Sequence, residues 1–213
     1  REKLYTKAET EDLTNNDLLA LESGIFYLPI AVLETCLGVT EYNKRREVTT
    51  VFNLLRAADN IEDGRINKRE KPSLIDLYLN SIIVPIARRD TGEDITDILE
   101  GDSLKILTEN LKRGSREDQD QITFAEHFGR GAVLRELNSF DRETKGEIEY
   151  TMIGIGQGMR EFLSRGEIQT IDQLDRYCFY VAGRIGSFLT KLVKLRNKDS
   201  GGKPIILNPN GAE

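Results

Sequence analysis

The residues best suited to chemistry lie in Leu55-Arg56-Ala57-Ala58-Asp59-Asn60-Ile61-Glu62-Asp63. At about 100° per residue, Asp59 and Asp63 fall one turn apart on the same helix face. Arg56 precedes Asp59 by a turn and Phe52 precedes Arg56 by another, so the spacing predicts one stripe of four. Two carboxylates at this spacing repel by about 0.2–0.5 kcal/mol. A divalent cation between them would offset that repulsion and keep most of its coordination shell for water and phosphate oxygens. A solvated acidic helix end is the plainer reading of the same spacing. Glu62 and Asp63 stand against the helix macrodipole, however, which shifts the balance toward a functional reason for them.

A second cluster is Asp175-Arg176-Tyr177-Cys178-Phe179-Tyr180-Val181-Ala182-Gly183-Arg184-Ile185-Gly186. Gly183 and Gly186 inside an apolar helix each cost about 1 kcal/mol relative to Ala. A helix tolerates that cost where another helix or a ligand must come close. Tyr177, Arg184, Phe188 and Lys191 share one face of an unbroken α-helix. Both a close-packed helix crossing and a ligand-lined wall fit this pattern. Cys178 has no histidine near it in sequence and reads as a small core residue, not a nucleophile.

Composition narrows the chemistry. The 213 residues carry 30 Lys+Arg against 36 Asp+Glu, a net charge of −6, which argues against a nucleic-acid partner. One histidine, His127, and two cysteines, Cys36 and Cys178, cannot build a His/Cys zinc cluster or a disulfide framework. A catalytic metal would therefore sit on carboxylates, the preference of hard cations such as Mg²⁺. No run reaches the ~20 apolar residues that span a bilayer, and no signal-peptide pattern is present. A cytoplasmic protein is the expectation. The chain starts at Arg1, not Met, so the reading expects a missing native N-terminus.

The elements that would position these residues are helical. Val48, Val51, Leu55 and Ala58 mark a helix over 43–63, with Gly64 just past its end. Further helical patterns run over 73–89, bent or ended near Pro85, and over 95–113, 119–137 and 142–165. The segment 171–196 is apolar around most of its circumference, which predicts a central buried helix. Alternating β-branched runs bounded by turns are almost lacking. The fold class is all-α, a bundle of six to eight helices in a single domain over 1–213. Residues 1–20 read as a polar lead-in. Residues 197–213 read as a loop-like tail, and a chain ending there looks cut short.

Both clusters resemble the squalene/phytoene synthase family. Residues 56–63 look like its first aspartate-rich motif. Tyr177 to Gly183, with Ile185-Gly186, look like its tyrosine signature and are nearest the squalene synthase form. Ser23, Phe26 and Pro29 stand where the family has its early Ser-x-x-Phe segment, so the resemblance covers about residues 20–195. It implies the all-α isoprenoid synthase fold and Mg²⁺-dependent head-to-head joining of two prenyl diphosphates, most simply two farnesyl diphosphates. Relatives that make phytoene or dehydrosqualene, or stop at a cyclopropyl (presqualene) diphosphate, are the near alternatives. A non-catalytic helical partner protein is the alternative of a different class.

By position, the resemblance makes Asp59 and Asp63 metal ligands and gives Arg56 and Tyr177 catalytic roles. Ser23, Phe26, Phe52, Arg56, Tyr177 and Lys191 become substrate contacts. NADPH is the reductant where the reductive half-reaction is present, and an apolar product implies peripheral contact with a membrane. Three departures stand out. No second aspartate-rich motif follows Tyr177 before Glu213, Phe52 replaces the usual tyrosine, and Gly24 replaces a basic or polar residue. The chain by itself is therefore expected to be inactive.

Overall fold

A computed structural model describes residues 13–14, 17–18, 42–115 and 118–199. All regular structure among them is helical: α1 (Tyr42–Asp63), α2 (Lys71–Tyr78), α3 (Val84–Arg88), α4 (Thr96–Leu99), α5 (Asp102–Gly114), α6 (Gln119–Gly129), α7 (Ala132–Ser139), α8 (Arg142–Arg165), α9 (Ile171–Cys178) and α10 (Arg184–Asp199). Two π-helical turns, π1 (Leu79–Ile83) and π2 (Phe179–Gly183), join α2 to α3 and α9 to α10. No described helix is long and apolar enough to cross a membrane.

Local chemistry accounts for the helix boundaries. Pro85 sits in the first turn of α3, where its missing N–H costs nothing, so the helix continues through π1 instead of ending. Gly101 separates α4 from α5. Gly131, at φ +84°, turns the chain between α6 and α7, where the sequence pattern alone runs on as one helix. Asp118 and Asp141 cap α6 and α8 by accepting hydrogen bonds from backbone N–H groups in each first turn.

The centre of the bundle is α8, which packs against α1, α2, α3, α10 and both π-turns. Its buried side includes Ile148, Met152, Ile155 and Met159, joined in one core to Leu54, Leu55 and Ile61 of α1 and to Ile75 and Ile82. Three glycines let neighbours close in on it. A Cβ at Gly154 would lie 2.1 Å from Arg184 Cζ, one at Gly156 2.4 Å from Leu79 Cδ1, and one at Gly158 2.4 Å from Tyr180 Cβ. Close helix approach is thus built from α8. Gly186, which the sequence singles out for such contact, has nothing within 4 Å.

The last helical segment departs from expectation. It is not the buried centre: α9 contributes no buried residue, and Ile171, Leu174 and Phe179 are 76%, 47% and 57% exposed. Apolar residues around most of its circumference describe what it can bury, and α8 covers only one side of it. Cys178 falls on the open side and is exposed, so it is not a core residue.

Candidate active site

The C-terminal turns of α1 face α8 and the α9–π2–α10 segment across a cavity of about 260 Å³. From α1 come Leu55, Asp59, Glu62 and Asp63. The floor is apolar, from Ile155 and Met159 of α8, while Tyr177, Val181 and Ile185 form the opposite wall. One side is therefore acidic and the rest greasy.

The stripe predicted on α1 splits in two. Asp59 and Asp63 do share the cavity. Phe52 and Arg56 do not line it; both are buried in the bundle. Arg56 donates from Nη1 to the Leu18 carbonyl (3.1 Å), and its guanidinium lies 4.2 Å from the Phe124 ring centroid. At 3.6 residues per turn, Leu55-Asp59-Glu62 is as good a stripe as Phe52-Arg56-Asp59, and packing selects the former toward the cavity.

The second wall divides for a different reason. In an unbroken α-helix Tyr177, Arg184, Phe188 and Lys191 would share a face. The π2 turn inserts an extra residue and rotates everything after it. Tyr177 consequently aligns with Val181 and Ile185, whereas Arg184, Phe188 and Lys191 line a separate concavity between α8 and α10. Lys191 pairs there with Glu147 at 2.7 Å and lies 4.6 Å from the Tyr150 ring centroid. Ser23, Phe26, Gly24 and Pro29 lie outside the described residues.

Tyr177 is held at both ends. Its ring packs edge-on against Phe162, with centroids 5.0 Å apart, and its hydroxyl donates to Glu62 Oε1 at 3.3 Å. Burial, then the neighbouring Glu62 carboxylate, pushes its pKa up to about 12, so the phenol keeps its proton at neutral pH. Glu62 is itself raised, chiefly by burial and next by Asp63. Glu62 is the site residue that motif reasoning passes over. Its signal was the carboxylate standing against the macrodipole, which the structure answers by having Lys71 Nζ donate to the Glu62 carbonyl at the end of α1.

Asp59, Glu62 and Asp63 line one wall, with Glu62 engaged by Tyr177. Among the described residues, no group of three or more His, Cys, Asp or Glu is placed to hold a metal ion. A one-helix set of this kind fits a dication that takes its remaining ligands from water and phosphate oxygens.

The helical fold, with its carboxylate wall facing a phenol over an apolar floor, is of the terpenoid synthase type. Residues 26–203 match the squalene/phytoene synthase model, and the chain belongs to that family. It is similar to the squalene synthase of Eremothecium gossypii, 25% identical over 164 residues, covering 74% of this chain and 32% of that protein. It also resembles the lycopaoctaene synthase of Botryococcus braunii, 43% identical over 53 residues, covering 25% of this chain and 12% of the relative. Squalene synthase 8 of Panax ginseng is 46% identical over 48 residues, covering 22% and 12%. The chain thus spans about a third or less of the length of these relatives. No solved structure matches.

Proposed function

We propose that this chain carries active-site residues of a Mg²⁺-dependent prenyltransferase that joins two farnesyl diphosphates head to head, through a cyclopropyl diphosphate, toward squalene. The observation that carries the reading is the meeting of Asp59, Asp63 and Tyr177 at one apolar-floored cavity, from helices far apart in sequence. A solvated helix end would not need a half-buried phenol opposite it.

In this reading Asp59 and Asp63 hold Mg²⁺, which when bound neutralises charge on the diphosphate leaving group. Tyr177 presents its phenol, hydroxyl oxygen included, to the charge developing on an allylic cation. Glu62 fixes the phenol oxygen by accepting its hydrogen bond. Ile155, Met159, Val181 and Ile185 keep water from that cation. Arg56, buried beside Phe124, supports α1 from behind the cavity and is given no substrate contact.

The experiment is to incubate residues 1–213, and the full-length protein, with labelled farnesyl diphosphate, Mg²⁺ and NADPH, and to extract the products. Among the described residues a single carboxylate wall lines the cavity, so residues 1–213 should release no hydrocarbon, because one such wall leaves much of the diphosphate charge unneutralised. Squalene from the full-length protein supports the reading. Presqualene diphosphate alone would mean that reduction is lacking, and no prenyl product at all would favour a non-catalytic role.

A further inference from the structure

We propose that the second concavity, between α8 and α10, is a metal-independent site for a phosphate-class anion carrying an apolar tail. It encloses about 160 Å³ and shares no lining residue with the Asp59 cavity. Its walls bring together Arg184 and Lys191, the hydroxyl residues Thr151 and Ser187, and the rings of Tyr150 and Phe179. No carboxylate lines it, in a chain whose net charge is −6. Glu147 pairs with Lys191 from beside it.

Arg184 sits among three aromatic rings. Its Cζ lies 5.4, 6.0 and 5.7 Å from the ring centroids of Tyr150, Phe179 and Tyr180. Such rings attract a cation by their faces but offer no lone pair in the guanidinium plane. Arg184 Nε is buried and has no hydrogen-bond partner among the described residues. Nε itself packs over Gly154, but the Arg184 side chain lines the concavity, where an oxyanion would supply the acceptors a guanidinium fork matches.

The backbone is shaped for this arrangement. Phe179 and Arg184 are five residues apart, one π-turn, so π2 stacks the ring beside the guanidinium. Gly154 leaves the space the guanidinium fills. Tyr150 and Phe179 are 60% and 57% exposed, giving an apolar tail somewhere to lie once the head group is bound. The volume accommodates the head group alone. The same chemistry could come from a free phosphate amphiphile or from the head group of an anionic lipid.

The test uses the full chain in EDTA, so that no metal-bridged binding at the Asp59 cavity contributes. Octyl phosphate and inorganic phosphate are titrated by calorimetry, and binding to phosphatidylcholine vesicles with and without phosphatidic acid is followed by sedimentation. Octyl phosphate should bind more tightly than inorganic phosphate. Arg184→Leu and Lys191→Gln should each weaken it about tenfold or more, and Arg184→Lys should not restore affinity, because it keeps the charge but loses the planar fork. Asp63→Asn should leave it unchanged. Arg184-dependent sedimentation with phosphatidic acid would identify a lipid source, and its absence alongside octyl phosphate binding a free one. Affinity that is unchanged in Arg184→Leu and in Lys191→Gln, full affinity in Arg184→Lys, or no saturable binding of either probe would overturn the proposal. Thermal melts of each variant separate lost binding from lost folding, and Lys191→Gln, on a half-exposed side chain, keeps the test alive if Arg184→Leu misfolds.

Discussion

The hydroxyl of Tyr177 donates to Oε1 of Glu62 across 3.3 Å and 115 residues of sequence. That contact ties the acidic end of α1 to the wall opposite it. It also fixes the phenol oxygen beside the carboxylates of the cavity. In the full-length enzyme, Tyr177→Phe should lower kcat about 10²-fold while changing KM little, if the phenol acts on developing charge. Glu62→Gln keeps an acceptor at the same place and should retain more activity than Glu62→Ala. Steady-state kinetics on the three variants checks this. A rise in KM at normal kcat would make Tyr177 a binding residue only.

Metal and substrate should bind cooperatively. Two carboxylates hold Mg²⁺ weakly, and a diphosphate completes its shell, so each tightens the other by the same factor. Calorimetry with a non-hydrolysable prenyl diphosphate analogue should show this coupling in the full-length protein. Asp59→Asn or Asp63→Asn should remove it. Unchanged metal-dependent binding in Asp63→Asn would leave that carboxylate as a solvated helix end.

Glycine substitutions along α8 should have opposite signs. A Cβ at Gly158 would press on Tyr180 Cβ and Cγ, both 2.4 Å away, and neither belongs to the flexible end of the side chain. Gly158→Ala should therefore destabilise by about 1–3 kcal/mol. Gly146, on the exposed side of the same helix, has nothing within 4 Å of its missing Cβ. Gly146→Ala should stabilise by about 1 kcal/mol through helix propensity alone. Urea denaturation of the two variants decides the matter.

Lys145 sets a pH dependence. Its side chain is fully buried, its Nζ donates to the Arg89 carbonyl at 2.6 Å, and burial holds its pKa below the usual lysine value. The unfolded chain therefore binds a proton more readily than the folded one. Stability should rise with pH from the folded pKa up to the ordinary value of 10.5, and level off above it. Lys145→Met removes the titrating group and should flatten that slope. Urea midpoints across alkaline pH test it, and an unchanged slope in the variant would assign the dependence elsewhere.

Much of the fold is legible in the residues themselves. The 3.6-residue spacing of Val48, Val51, Leu55 and Ala58, and of Ile148, Met152, Ile155 and Met159, is enough to place α1 and α8, because each apolar stripe must be buried somewhere. Residue type and spacing also bring Asp59 and Asp63 to one face and mark Tyr177 as chemically apt. Spacing cannot say which of two overlapping stripes meets a cavity. Arg56 and Glu62 are equally well placed beside Asp59 on a helical wheel, and only packing against Phe124 on one side and Tyr177 on the other separates their roles. Nor can periodicity reveal a π-turn, since one inserted residue changes no local composition yet carries Arg184 and Lys191 away from Tyr177. An apolar circumference likewise states only what a helix can bury. Tertiary packing decided that α8, with glycines where its neighbours press in, is the centre, and that α9 keeps an open face.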